Sequence, residues 1–292
     1  MLDQTAGTTE TTVEEAFASV VTANAFGVNP LALSLTLLAH LRCVVTAHQS
    51  AMGPCMGGLL YTIKGPESVF LTFVVLVGIA GIFCAIFVEF PEGPLPIISY
   101  EGHLRDGTLV VTSVGFTLVY LCMSLMWTTF PVHLLEVFNI KEAVVGLVFT
   151  LVLLSHDIFL PIIYTFLEIK SSEARGTYVA CAFGMLGSFT MLAFMAHTWY
   201  AVCAMLFAFS FSSALAIGAC STELAERSNQ NLANYQLKDA AVLVGCVVGP
   251  LLGVVVNDTV LFKTGPWHVA CLCFGYVAVY YQKVANVTIK GI

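Results

Sequence analysis

Runs of about twenty predominantly apolar residues, the length that crosses the hydrocarbon core of a bilayer, follow one another from residue 30 to residue 284. Eight can be laid out, at 30–62, 67–90, 108–131, 143–167, 177–197, 199–221, 237–257 and 265–284. The first is long enough to include an interfacial turn, and only "AHTW" separates the fifth from the sixth. None shows the strict alternation of a barrel strand. Backbone groups in lipid have to be satisfied within their own segment, so the runs read as helices. Composition agrees: 58% of the 292 residues are hydrophobic and 10% charged, where a soluble domain carries about a quarter charged residues. The expected fold class is an all-α membrane protein, multi-pass, with the lipid bilayer as its solvent.

The net charge of -7 comes largely from the ends and loops, including "DQTAGTTETTVEE" near the start. It reads as solvated surface and gives no reason to expect a nucleic-acid partner. The first residues are acidic and polar, with no basic segment ahead of an apolar core, so no signal peptide is expected and the N-terminus is placed in the cytosol. Eight spans return the chain to that side. The loops assigned to it hold Arg105, Lys170, Arg175, Arg227, Lys283 and Lys290, while the opposite loops hold only Lys64, Lys141 and Lys263. That bias follows the positive-inside rule. Asn257-Asp258-Thr259 falls on the far side and matches a glycosylation acceptor. The expected organisation is a polar N-terminal segment at 1–29, two spans at 30–90, a cytosolic linker at 91–107, six spans at 108–284 and a tail at 285–292. The linker lies in "EFPEGPLPIISYEGHLRDG", rich in Pro, Gly and charge.

Two stretches break the apolar pattern in the same way. "HQSAMGPCMGG" at 48–58 and "GCVVGPLLG" at 245–253 each place a Gly-Pro and further glycines late in a span. Small residues let helices approach closely, and Pro removes one backbone hydrogen bond. Gly53, Pro54, Gly57 and Gly58, and likewise Gly245, Gly249, Pro250 and Gly253, therefore read as marks of close-packed, slightly bent helices. Two such helices far apart in the chain suggest two related bundles, the parallel-repeat plan of a transporter, the alternative being two unrelated Gly-Pro pairs in membrane helices.

"GPCMGGLLYTIKG" from Gly53 resembles the antiporter motif that ends the fifth helix of drug:proton antiporters of the major facilitator superfamily, and "GCVVGPLLG" resembles its counterpart in the eleventh. "FPVHLLEVFNIKEAVVGLVFTLVLLSHDIFLP" at 130–161 is similar to the seventh and eighth helices of the vesicular amine transporters, closest to the polyamine branch. "LKDAAVLVGCVVGP" resembles the eleventh helix, with Asp239 ten residues before Gly249. The likeness covers most of residues 40–285. It implies a major facilitator fold in which the eight spans correspond to family helices five to twelve, leaving helices one to four without a counterpart.

That resemblance assigns roles. Asp239 would exchange a proton and oppose an amine; an acid inside a span costs roughly 2.5 to 3.5 kcal/mol on insertion scales and is kept for a reason. Its alternative is a solvated position beside Lys238 at the headgroups. His156 and Asp157 stand together in the middle of the fourth span, as a titratable pair near neutral pH or as a buried structural hydrogen bond. Where monoamine carriers hold acids in their seventh and tenth helices this chain has Trp127 and Ser212, which favours the polyamine branch. "YTFLEIKSSEARG" occupies the place of the family's gating loop, with Tyr164 for its glycine, Glu168 for its aspartate, and Lys170 and Arg175 as its cations. Glu223, Glu226 and Arg227 read as solvated loop charges, Arg42 as snorkelling, and His48 as either snorkelling or cavity-facing. Phe207, Phe209 and Phe211 read as packing or lipid-facing, with a cation-π role for an amine as the alternative. Ten cysteines lie mostly inside the spans; Cys271 and Cys273 are the only tight pair, and all read as small hydrophobes.

No nucleotide loop, nucleophile-base set or metal-ligand spacing stands in the sequence, so no enzyme, cofactor or metal is expected. The function this implies is proton-coupled antiport of a small organic cation, an amine or polyamine, in a vesicle or plasma membrane. The alternative is a truncated, non-transporting membrane protein or partial gene product that regulates or pairs with a full-length relative.

Overall fold

The protein is seen in a computed structural model, which describes residues 53–87, 107–168, 170–227, 232–256 and 261–282. Residues 30–52 of the first expected span, with Arg42 and His48, most of the linker, the tail and the glycosylation acceptor lie outside the described residues. The described residues are helical apart from short turns, with no strand among them. In chain order the helices are α1 (53–64), α2 (Pro66–Phe87), α3 (Gly107–Glu136), α4 (Glu142–Glu168), α5 (Ser172–Met195), α6 (Trp199–Arg227), α7 (Leu232–Val256) and α8 (Leu261–Tyr280). Six of them, α2 to α7, are long and apolar enough to cross a bilayer, so the chain is an all-α, multi-pass membrane protein. The eighth expected span is helical but is not among the six; the first two turns of α8 carry Lys263, Thr264, Pro266 and His268.

Local sequence explains the turns. Gly65 has φ +78° and its N–H donates to the Tyr61 carbonyl at 2.8 Å, closing α1 with a left-handed cap. Pro66 then opens α2 at its first position, where a missing N–H costs nothing, with Glu67 in the first turn. The Ser68 hydroxyl lies 3.0 Å from the Leu60 carbonyl, tying the two helices across the corner. Gly65→Ala is expected to cost about 1–2 kcal/mol at this left-handed position. Limited proteolysis should show cleavage at the corner rising roughly five- to thirty-fold; unchanged cleavage would mean the corner tolerates a side chain. A second left-handed residue, Asn139 at φ +53°, turns the chain between α3 and α4, within the Leu-Glu-x-Phe-Asn sequence.

Helices α3 to α8 form one bundle with α3 central, packed against α7, α6 and α8. Contacts fix the directions. Gly245, Gly249 and Gly253 of α7 meet Thr117, Ser124 and Thr128 of α3 in rising order, so these helices run parallel. Val152 and Ile163 of α4 meet Ser210 and Gly218 of α6, also parallel. Gly176 meets Tyr280, and Gly187 meets Cys273, so α5 and α8 run antiparallel. Fully buried Phe116, Phe130, Phe183, Leu125, Met126 and Leu186 fill the centre.

The two glycine-rich helices differ in how they use their glycines. All three of Gly245, Gly249 and Gly253 lie on one face, four residues apart, and bring the α7 backbone onto α3. In α1 only Gly58 is in close contact: its Cα faces that of Gly146 in α4, while Gly53 and Gly57 have open space where a Cβ would stand. Helix α2 contributes nothing to the packed interior, with none of its span buried inside the protein. Its large apolar side chains, Phe70, Leu71, Phe73, Val74 and Ile86 among them, are exposed, as suits a helix solvated by lipid.

Candidate functional site

The buried stripe of α4 runs Val145, Gly146, Phe149, Val152, His156, Ile163 and Leu167, the spacing of a helix face packed along its length. His156 interrupts it. With fourteen residues before it in α4 and twelve after, at 1.5 Å each, it sits about 20 Å from either end, at the depth where a bilayer is most apolar. Its Nδ1 lies 3.2 Å from Asp157 Oδ1, with side chains 10% and 22% exposed. If Nδ1 carries the ring proton it donates to the carboxylate, leaving Nε2 an acceptor in the neutral ring and a donor in the imidazolium. His156 Nε2 and Asp157 Oδ2 are both enclosed and have no hydrogen-bond partner. A mid-span pair with one open valence on each side is able to take a proton or to oppose a cation, and leaving it unfilled costs stability.

One hydroxyl of α6 reaches α4 near this level. Ser210 Oγ donates to the Val152 carbonyl of α4 at 2.9 Å, and Ser155 Oγ, bonded to the same carbonyl at 2.7 Å, lies 3.1 Å from Ser210 Oγ. These bonds fix α4 against α6 one turn before His156. Phe159 and Phe211 close the next turn, edge to face at 5.3 Å. Ser213 donates to the Ser210 carbonyl within α6. Of the three alternating phenylalanines, Phe209 is buried, while Phe207 and Phe211 are partly exposed.

The remaining expected residues are not gathered here. Ser212 is fully buried, but its hydroxyl donates to the Phe209 carbonyl of its own helix at 2.8 Å, and it projects roughly 200° around α6 from Ser210. Asp239 lies seven residues into α7, about 10 Å from its start. It is exposed, on the outward face with Leu243 and Cys246 and turned away from α3. Its neighbour Lys238 is the one that folds inward, its Nζ 5.4 Å from the Phe116 ring centre. Helix α7 packs mainly on α3 whereas α4 packs mainly on α6, so Asp239 and the His156–Asp157 pair are carried by helices with different main neighbours. Trp127, in place of an acid, is partly exposed on α3. In the expected gating loop Glu168 is exposed, Lys170 Nζ lies 4.6 Å from the Phe166 ring centre, and Arg175 is half-buried in the first turn of α5. Ser171 caps that helix, accepting from the Ala174 N–H at 3.4 Å.

Glu223 corrects the sequence reading. It is 1% exposed, no loop charge at all, because α6 continues past it to Arg227. It lies in the electrostatic reach of Cys220, one turn earlier, and of Tyr276 from α8. Helix α6 runs six residues past the apolar run that ends at 221, and hydropathy alone does not show that extension. The cysteines also pair differently from their spacing: Cys271 is exposed while Cys273 is buried against Cys122. Among the described residues no three His, Cys, Asp or Glu side chains converge as a metal site would require.

No protein-family model matches the chain, and no curated protein matches it.

Proposed function

We propose that this protein is a secondary transporter of the major facilitator type, exchanging protons for an organic cation, an amine or polyamine, by alternating access. The observation that carries the reading is the His156–Asp157 pair at mid-span, with His156 buried, Asp157 partly buried, and Nε2 and Oδ2 enclosed without a hydrogen-bond partner. Ionisable groups at that depth are costly and serve ion or substrate pathways in membrane proteins. Support comes also from the close approach of Gly58 in α1 to Gly146 in α4 and of the α7 glycines to α3, the small-residue contacts that let transporter helices pack closely. Asp239 is the second acid of the scheme, exchanging its proton where α7 leaves the bilayer core. A second reading, a non-transporting membrane protein that pairs with a longer relative, draws on α2, none of whose span is buried.

The test is uptake. Purified chain in vesicles with an acidic interior is given radiolabelled spermidine or a monoamine. One-for-one exchange of a singly charged amine for a proton across one pH unit holds about tenfold accumulation, the equivalent of about 1.4 kcal/mol, and a protonophore abolishes it. Flux no greater than that of empty vesicles, with either amine, would remove the transport reading and leave the pairing one. Asp239→Asn is expected to lower accumulation; if it leaves flux intact, that residue has no part in coupling.

A further inference from the structure

Two thiols distant in sequence meet in the core of the bundle. Cys122 of α3 and Cys273 of α8 are 151 residues apart, yet their Sγ atoms stand at 3.9 Å, and both side chains are fully buried. A third helix makes room for them: a Cβ at Gly187 of α5 would lie 3.0 Å from the Cys273 Cβ. The same two helices meet again two turns away, where Gly115 of α3 accepts the Tyr276 ring of α8, so the sulfurs are held facing one another. A disulfide has its sulfurs about 2 Å apart, and closing the remaining distance asks for about 2 Å of combined side-chain rotation and helix shift. Cys271, only two residues from Cys273, is exposed on the outer face of α8.

We infer that Cys122 and Cys273 form a redox-modifiable site, converted to a disulfide by a neutral, lipid-soluble two-electron oxidant. Both S–H bonds break and one S–S bond forms; two protons leave and two electrons pass to the oxidant. With molecular iodine the products are the disulfide, two iodide ions and two protons. Access sets the selectivity. A charged, water-soluble disulfide such as oxidised glutathione has no path into an apolar helix interface, while iodine partitions into lipid and reaches it. The bond ties the first helix of the bundle to its last. It closes a long loop in the unfolded chain, which favours the folded state.

The full chain in lipid vesicles is exposed to iodine or to oxidised glutathione, then unfolded, alkylated at its free thiols and mapped as non-reduced peptides by mass spectrometry. Iodine should yield a Cys122–Cys273 linked peptide that dithiothreitol cleaves, and glutathione should not. The oxidised protein should melt at a higher temperature than the reduced one. Cys271→Ala should keep the link and Cys273→Ala should lose it. The inference is overturned if iodine gives no linked peptide, if Cys271 takes the place of Cys273, or if the link forms as readily in chain unfolded in dodecyl sulfate before oxidation. An equal yield from glutathione would overturn the enclosed site. The peptide map is read on wild-type protein, so a Cys273→Ala chain that fails to fold leaves the test intact.

Discussion

Gly249→Val is expected to push α7 off α3 and to lower the melting temperature of the detergent-solubilised protein sharply. A Cβ at Gly249 would lie 2.5 Å from the Ser124 Cβ, 2.8 Å from the Leu121 carbonyl oxygen and 3.1 Å from the Leu125 nitrogen. Two of these three are backbone atoms of α3 and cannot rotate away. Overpacking a core of this kind costs about 1–3 kcal/mol, and valine adds two methyl groups to the clash. Gly245→Val should behave alike, since its Cβ would stand 2.6 Å from the Thr117 carbonyl oxygen and 2.9 Å from the Leu121 nitrogen. Gly275→Ala is the control: nothing lies within 4 Å of its Cβ position on α8, and helix propensity favours alanine over glycine by about 1 kcal/mol. Equal losses from Gly249→Val and Gly275→Ala would show that the close approach of α3 and α7 is not what glycine provides.

Asp157→Asn is expected to abolish gradient-driven accumulation in vesicles while sparing exchange of labelled for unlabelled amine. Asparagine keeps the shape and can still bond to His156 Nδ1, but it carries no titratable charge. With the coupled proton lost, one pH unit no longer supplies about 1.4 kcal/mol, and a tenfold amine gradient falls to unity. Exchange needs no net proton movement and should continue. Full accumulation by Asp157→Asn would sink the pair as the coupling group. His156→Leu tests the structural side of the same geometry. It leaves the Asp157 carboxyl at mid-span without the Nδ1 partner now 3.2 Å away, a loss of about 1–3 kcal/mol in thermal stability. The double substitution to leucine should restore much of it, because replacing a buried ionic pair by apolar side chains is often neutral or stabilising.

Several features of the site could be read before any fold was known. His156 and Asp157 announce themselves as adjacent polar residues inside an apolar run, and the depth of that run already places them near the middle of a span. The residues around them do not. Ser155 and Ser210 are unremarkable in sequence, 55 positions apart, and become part of one polar patch only because α4 and α6 run parallel in contact. Ser212, two residues on, projects elsewhere and bonds to its own helix. Asp239 was legible as an acid near a span, but which way it points depends on the Gly245, Gly249 and Gly253 face that commits the other side of α7 to α3.

The sequence by itself determined that this chain is helical and lives in a membrane, and where most spans begin and end. It also pointed, through the glycines of 245–253, to the closeness of α7 to some neighbour. Each of these follows from what a residue and its near neighbours demand of solvent and backbone. Only the tertiary structure decided that Cys273 meets Cys122 instead of Cys271, that Glu223 is interior, and that α1 uses Gly58 alone of its glycines. Where nearly every side chain is apolar, hydropathy no longer distinguishes the face of a helix that meets protein from the face that meets lipid. Packing between residues far apart in the chain has to make that choice.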